Sequence, residues 1–185
     1  MKKNIVLVDL DNTMFDLLDG IKNQFNWFNP QTQTSYSFFD THPEKARAIY
    51  ALFSDLEFFT QLEPIAVINT YVRNLMAQGY DVQFYSNKDN SIHAGFQEFF
   101  NEWLIQHNML TLDRQLPPLF LWHKEADLKV YLDRIQPYIV EVIDDYPDKL
   151  KGYLETINLT IPKWPYNQNT NYEHIKPLTL SYLDH

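Results

Sequence analysis

The sequence predicts an α/β protein: a parallel sheet of about five strands with helices on both faces, and a small helical cap inserted after the first strand. Two observations carry this. Short apolar runs alternate with stretches of helical period, the pattern of strand–helix–strand units. Residues 17 to 63 are too long for an ordinary strand-to-helix connection, so they are read as the cap and residues 1–16 with 64–185 as the core domain.

The first strand is the run I-V-L-V-D-L-D-N-T-M-F, residues 5 to 15. Four aliphatic residues run into two aspartates and a threonine, as in a buried strand that ends in a polar turn. Leu17, Ile21, Phe25 and Phe28 then fall at helical spacing, with Asp16 as N-cap, and Asn29-Pro30 stops that helix. The segment from Gln31 to Asp40 shows no clear period. Pro43 opens a second helix with Ala46, Ile49, Phe53 and Leu56 on one face. Glu63-Pro64 opens a third, with Ile65, Ile68, Val72 and Leu75 inward and Gly79 as its stop.

Asp81 to Tyr85 reads as the second strand, followed by a Ser86-Asn87-Lys88-Asp89 loop. Ser91 caps a helix dense in aromatics, from Phe96 to Leu104. Leu119 to Trp122 is the third strand, and a charged helix spans about Ala126 to Ile135. Tyr138 to Ile143 is the fourth strand and runs into Asp144-Asp145. A helix near Asp148 to Ile157 leads to a fifth strand, Leu159 to Ile161. From Pro162 onward no period stands out; Trp164 and Tyr166 are read as covering the edge of the sheet.

Composition narrows the function classes. With 45% hydrophobic residues, 185 residues can bury a sizeable core. The net charge of −9, without a long Lys/Arg run, argues against gripping duplex nucleic acid. The absence of cysteine excludes thiol, disulfide and zinc-thiolate chemistry. No apolar run suits a signal peptide or a membrane span, so the expected location is cytoplasmic.

A parallel sheet brings its strand ends to one edge, where α/β proteins bind ligands. Asp9 and Asp11, Ser86 and Asn87, Lys124, and Asp144 and Asp145 all stand at strand ends. Collected carboxylates repel one another, and a hard divalent cation such as Mg²⁺ relieves that cost. A lysine there would balance further negative charge, such as a phosphate. Taken singly, each has a plainer reading: Asp-x-Asp as a polar turn, Ser86 as a turn cap, Asp145 as a helix N-cap. Arg134 and Lys149 read as solvated helix charges, and the histidines show no metal-type pairing. His123, beside the proposed lysine, is a candidate for substrate contact.

V-D-L-D-N-T, Y-S-N, Lys124 and I-D-D, in this order, resemble the haloacid dehalogenase superfamily of phosphohydrolases. The resemblance implies that superfamily's Rossmann-like fold and a Mg²⁺-dependent phosphatase. Asp9 would be the nucleophile that forms an aspartyl-phosphate, and Asp11 the acid and base. The metal would be held by Asp9, the backbone carbonyl of Asp11 and Asp144, with Asp145 supporting them. Thr13, Ser86 and Asn87 would serve the phosphate, and Lys124, favoured over Lys129, would neutralise charge. Many relatives carry Gly where this chain has Asn12; Asn tolerates the same turn.

D-L-E-F-F-T-Q-L-E-P-I at 55 to 65, V-Q-F-Y-S-N and W-P-Y-N at 164 to 167 are similar to the 5′(3′)-deoxyribonucleotidase branch. There, cap aromatics enclose the base, which implies such a role for Phe38 and Phe39, with Leu17 nearby. The resulting expectation is a nucleotidase acting on small (deoxy)nucleoside monophosphates. Competing readings are a phosphatase of another small phosphomonoester or of nucleic-acid 3′-phosphate ends, and a non-catalytic binding protein of the same fold. Oligomeric state is left open, a homodimer among the options.

Overall fold

The computed structural model describes residues 4–88, 95–107, 109, 119–122, 124–150, 152–153, 157–168 and 175–178. Six parallel strands form one sheet: β1 (Ile5–Asp9), β2 (Asp81–Asn87), β3 (Leu119–Trp122), β4 (Ile139–Ile143), β5 (Asn158–Pro162) and β6 (Ile175–Leu178). Their spatial order is β3-β2-β1-β4-β5-β6. β1 therefore lies between β2 and β4, with Asp9 beside Tyr85 and Val8 beside Ile143. The chain reverses its direction of winding at β1, which leaves a crevice at the carboxyl ends of the central strands.

Seven α-helices are described: α1 (Leu17–Gln24), α2 (Phe38–Thr41), α3 (Ala46–Leu52), α4 (Leu56–Thr60), α5 (Ala66–Ala77), α6 (Phe96–Gln106) and α7 (Glu125–Ile135). Strand β1 is buried along its whole length, so its alternating side chains feed two cores. Val6 and Val8 join Val82, Phe84, α5 and α6 on one face. Ile5 and Leu7 join Tyr85, Val142, Leu159 and helix α7 on the other. Residues of α1 to α4, among them Leu18, Ile21, Ile49 and Phe59, belong to the first of these clusters and are continuous with the sheet core. Phe59 and Phe100 pack edge to face, 5.5 Å apart, and join α4 to α6.

Local signals placed most boundaries. The Asp16 side chain accepts from the Asp19 amide at 2.8 Å and starts α1. Gly79, at φ +88°, ends the α5 segment and turns the chain into β2. The expected second helix is instead two short ones, because Asp55 caps α4 through the Glu57 amide and so breaks the period. β2 runs on through Ser86 and Asn87, so both lie within the strand rather than in a loop. Between Asp148 and Ile157 the described residues show a 3-10 turn, Pro147–Leu150, in place of a longer helix. β6 falls where the sequence showed no period. It pairs with β5 at the sheet edge, where the missing Pro177 amide costs no central hydrogen bond. Ser91 and His123 lie outside the described residues.

Candidate active site

The site begins with a turn. After β1 the chain bends sharply, and Asn12 takes φ +53°, the single positive-φ residue other than glycine among those described. The Asn12 side chain stabilises this conformation at both ends: Oδ1 accepts from the Leu18 amide at 3.2 Å, and Nδ2 donates to the Tyr166 hydroxyl at 3.2 Å. The Trp164 indole N–H donates to the Asn12 carbonyl at 2.7 Å. Trp164 is fully buried and supports this turn.

The turn and the end of β4 face each other. Oxygen atoms of Asp9, Asp144 and Asp145 all lie within 4.8 Å of one another, and all three residues are buried. The Thr13 hydroxyl accepts from the Asp145 amide at 3.2 Å, which ties the two loops together. The Tyr85 hydroxyl donates to Asp144, and the Tyr166 hydroxyl donates to Asp145. Burial raises the pKa of Asp9 well above the ordinary carboxylate value; Lys149 opposes this, while Asp144, Asp145 and Asp11 add to it. Burial and the charge of Asp144 push Asp145 up to about 7, against Lys149 and the Tyr166 hydrogen bond. Such a group of oxygen donors suits a hard divalent cation, with Asp9, Asp144 and Asp145 as the residues able to hold it.

The Asp11 side chain points away from that cluster. Its Oδ2 accepts from the Ser86 hydroxyl at 2.7 Å, and both its oxygens accept from the Lys88 ammonium, at 2.8 and 3.0 Å. Lys88 is buried at 7% exposure, with its ammonium 4.7 Å from the centre of the Phe59 ring. Lys149 approaches from the opposite face of the sheet. Its Nζ is 3.0 Å from Asp9 Oδ1 and 3.4 Å from Asp144 Oδ2, and lies over the Tyr85 ring at 5.0 Å. Its side chain is 16% exposed, so the reading of Lys149 as a solvated charge is corrected. Burial works to lower its pKa, but Asp144 and Asp9 carry it well above the ordinary lysine value.

A cavity of about 330 Å³ opens beside Asp11, Asn12, Asn87, Lys88, Asp145 and Tyr166. Leu17, Leu18, Phe38, Tyr50 and Phe53 form its apolar lining, and Tyr36 also lines it. Tyr36 stacks on Tyr146 with ring centres 3.9 Å apart, so the segment before α2 meets the loop after β4. Gln33 also lines the cavity, but its amide is engaged: Nε2 donates to the Ser35 carbonyl, and Oε1 accepts from the Thr41 hydroxyl at 2.8 Å.

The structure thus brings Asp9, Asp11, Thr13, Ser86, Asn87, Asp144 and Asp145 to one edge of the sheet, with Phe38 in the cavity wall. Phe39 is half exposed and stacks on Tyr50 outside the lining residues. Lys124 is exposed at the N-cap of α7, and among the described residues the ion pairs to Asp9, Asp11 and Asp144 come from Lys149 and Lys88. Sequence reasoning missed Lys88, Lys149 and the hydroxyl of Tyr166. Their neighbours in sequence, Ser86-Asn87, Asp144-Asp145 and W-P-Y-N, were the available signal.

Residues 3–117 match the family model described as 5′ nucleotidase, deoxy (Pyrimidine), cytosolic type C protein. No curated protein matches the chain. The fold is similar to that of a predicted phosphatase from Clostridium acetobutylicum, with a TM-score of 0.58 and 14% identity over 99% of this chain and 97% of that one. It is also similar to a haloacid dehalogenase-like hydrolase from Bacteroides fragilis, with a TM-score of 0.57 and 14% identity over 98% of this chain and 100% of that one. A haloacid dehalogenase-like family hydrolase from Xanthomonas campestris gives a TM-score of 0.53 at 12% identity, over 96% of this chain and 90% of that one.

Proposed function

This chain belongs to the 5′ nucleotidase, deoxy (Pyrimidine), cytosolic type C family and is a phosphatase of the haloacid dehalogenase type, and from that premise we propose that it hydrolyses (deoxy)nucleoside monophosphates with Mg²⁺. The observation that carries the reading is the junction of two environments. Asp9, Asp144 and Asp145 form a buried acidic cluster, and beside it lies a cavity lined in part by apolar side chains. A divalent cation in the first environment would give a phosphate its partner, and the apolar lining of the second suits a flat organic group. The cavity's size suits one mononucleotide.

Four carboxylates, Asp9, Asp11, Asp144 and Asp145, face two ammonium groups, Lys88 and Lys149. Fully ionised, the four would exceed the ammonium groups by two negative charges, which a divalent cation held by Asp9, Asp144 and Asp145 would balance, with the Asp11 backbone carbonyl as a further donor. That ion would draw charge from the phosphoryl oxygens and shield them from the nucleophile. The Asp9 carboxylate attacks phosphorus, and the bond to the leaving alcohol breaks. Asp11, once turned from Lys88 and protonated from solvent, gives its proton to the leaving oxygen and then takes one from the water that hydrolyses the aspartyl-phosphate. Ser86 and Asn87 hold phosphoryl oxygens, and Thr13 holds the loop that carries Asp145. Phe38 and its apolar neighbours enclose the base.

The experiment is orthophosphate release from 5′ and 3′ nucleoside and deoxynucleoside monophosphates, with Mg²⁺ and with EDTA. Selective, Mg²⁺-dependent release from one nucleotide group is the expected result. Release from aryl phosphates alone would discard the nucleotide and keep the chemistry.

A further inference from the structure

Attack by a carboxylate on a phosphate monoester brings two anions into contact, and a fixed positive charge touching both lowers that cost. A lysine after β3 was the expected source. The geometry offers another. Lys149 lies on the 3-10 turn that directly follows the Asp144-Asp145 loop, so the segment that supplies the aspartate pair also supplies the ammonium. Its Nζ bridges Asp9 and Asp144, at 3.0 and 3.4 Å. The Tyr85 ring beneath the ammonium and the burial of its stem hold it in place. Lys88 is turned elsewhere in this arrangement: among the described residues its contacts to carboxylate go to Asp11.

Resting on the phosphatase reading above, we propose that Lys149 is the catalytic cation of this site, neutralising the Asp9 carboxylate and the transferred phosphoryl group, in place of a lysine delivered from the segment after β3. Lys149 takes no proton and forms no covalent bond. The Asp9 oxygen bonds to phosphorus, the leaving oxygen departs with the proton of Asp11, and the ammonium stays hydrogen-bonded to a phosphoryl oxygen throughout.

This role has a signature that mere structural support lacks. Lys149 and a divalent cation share Asp9 and Asp144 as partners. Removing the ammonium should therefore weaken phosphate binding and turnover while strengthening Mg²⁺ binding.

The test compares Lys149→Met, Lys149→Arg and Lys124→Met, each checked by thermal melting. Three readouts are taken: kcat/KM on 4-nitrophenyl phosphate, inhibition by orthophosphate, and Mg²⁺ affinity by calorimetry. Lys149→Met should lose about 10²- to 10³-fold in kcat/KM, bind orthophosphate at least about tenfold more weakly, and bind Mg²⁺ more tightly. Lys149→Arg, which keeps the charge, should recover part of the first two. A near-normal Lys149→Met, or a larger loss in Lys124→Met, would overturn the assignment. If the wild-type protein hydrolyses no phosphate ester, the phosphatase reading fails, and Mg²⁺-dependent orthophosphate binding decides the role of Lys149 alone. Binding that survives Lys149→Met, or is absent in the wild type, also overturns it.

Discussion

Lys88 and Asp11 form a two-pronged ion pair, with the ammonium 2.8 and 3.0 Å from the two carboxylate oxygens and its other side against the ring of Phe59. The proposed acid and base is thus held by a cation that the α4 segment roofs over. Lys88→Met should free the Asp11 side chain. A fall in kcat of about tenfold or more, with Tm changed little, is the expected outcome, measured by steady-state kinetics beside a melt. Lys88→Arg should restore part of the loss.

Asp9→Asn should reduce turnover by at least about 10³-fold while the fold persists. Asp11→Asn should also lose most turnover, yet still bind Mg²⁺ and orthophosphate. Calorimetry on both variants separates loss of chemistry from loss of the site. Full activity in Asp9→Asn would remove it as nucleophile.

The pKa of Asp145, raised to about 7, fixes a pH dependence for the metal-free protein. An unfolded aspartate loses its proton near pH 4, whereas folded Asp145 keeps its own until about pH 7. The folded state therefore binds more protons within that window, and stability falls as pH rises through it. Asp9 shifts in the same direction. Melting temperature in EDTA should decline from about pH 4 to about pH 7, and Mg²⁺ should restore most at the upper end. Asp145→Asn should flatten the decline; a slope unchanged in that variant would contradict the account.

Tyr166 donates to Asp145 and accepts from Asn12 through one hydroxyl. Tyr166→Phe keeps the ring and removes that bridge. It should cost about 1–3 kcal/mol in stability and weaken Mg²⁺ binding, because Asp145 loses its donor. Denaturant unfolding and calorimetry check the two effects.

Tyr36 lines the cavity and remains 46% exposed, so its removal leaves the core intact. Tyr36→Ala should raise KM for nucleotides several-fold, by removing an aromatic wall worth about 1 kcal/mol, and leave small aryl phosphates nearly unchanged. Equal KM changes for both classes would mean that this wall does not face the organic group.

Much of the frame was legible because it is written locally. The I-V-L-V run, the Asp16 cap and Gly79 each act on neighbouring residues, and each marks its element. Asn12 was legible for the same reason: few side chains tolerate the backbone that its turn requires. Strand β6 was hidden because an edge strand needs only one partner and carries a proline. The two lysines were hidden by a different cause. A lysine beside an aspartate in sequence reads as solvated, and only the folded sheet shows that Lys149 is turned inward onto Asp9, 140 positions away. Lys124 follows a strand and is exposed at the N-cap of α7; its place after the strand does not by itself fix where its ammonium goes.

The placement of β1 between β2 and β4 has a consequence for the newborn chain. During synthesis Asp9 emerges 135 residues before Asp144, a lag of roughly 7–27 s at ordinary elongation rates. Until β2 is made the first strand has neither of its eventual neighbours, and from then until β4 is made it has one, while its acidic end lacks the paired aspartates. The side chains that meet at this edge come together only after β4 and the loop that follows it have been made.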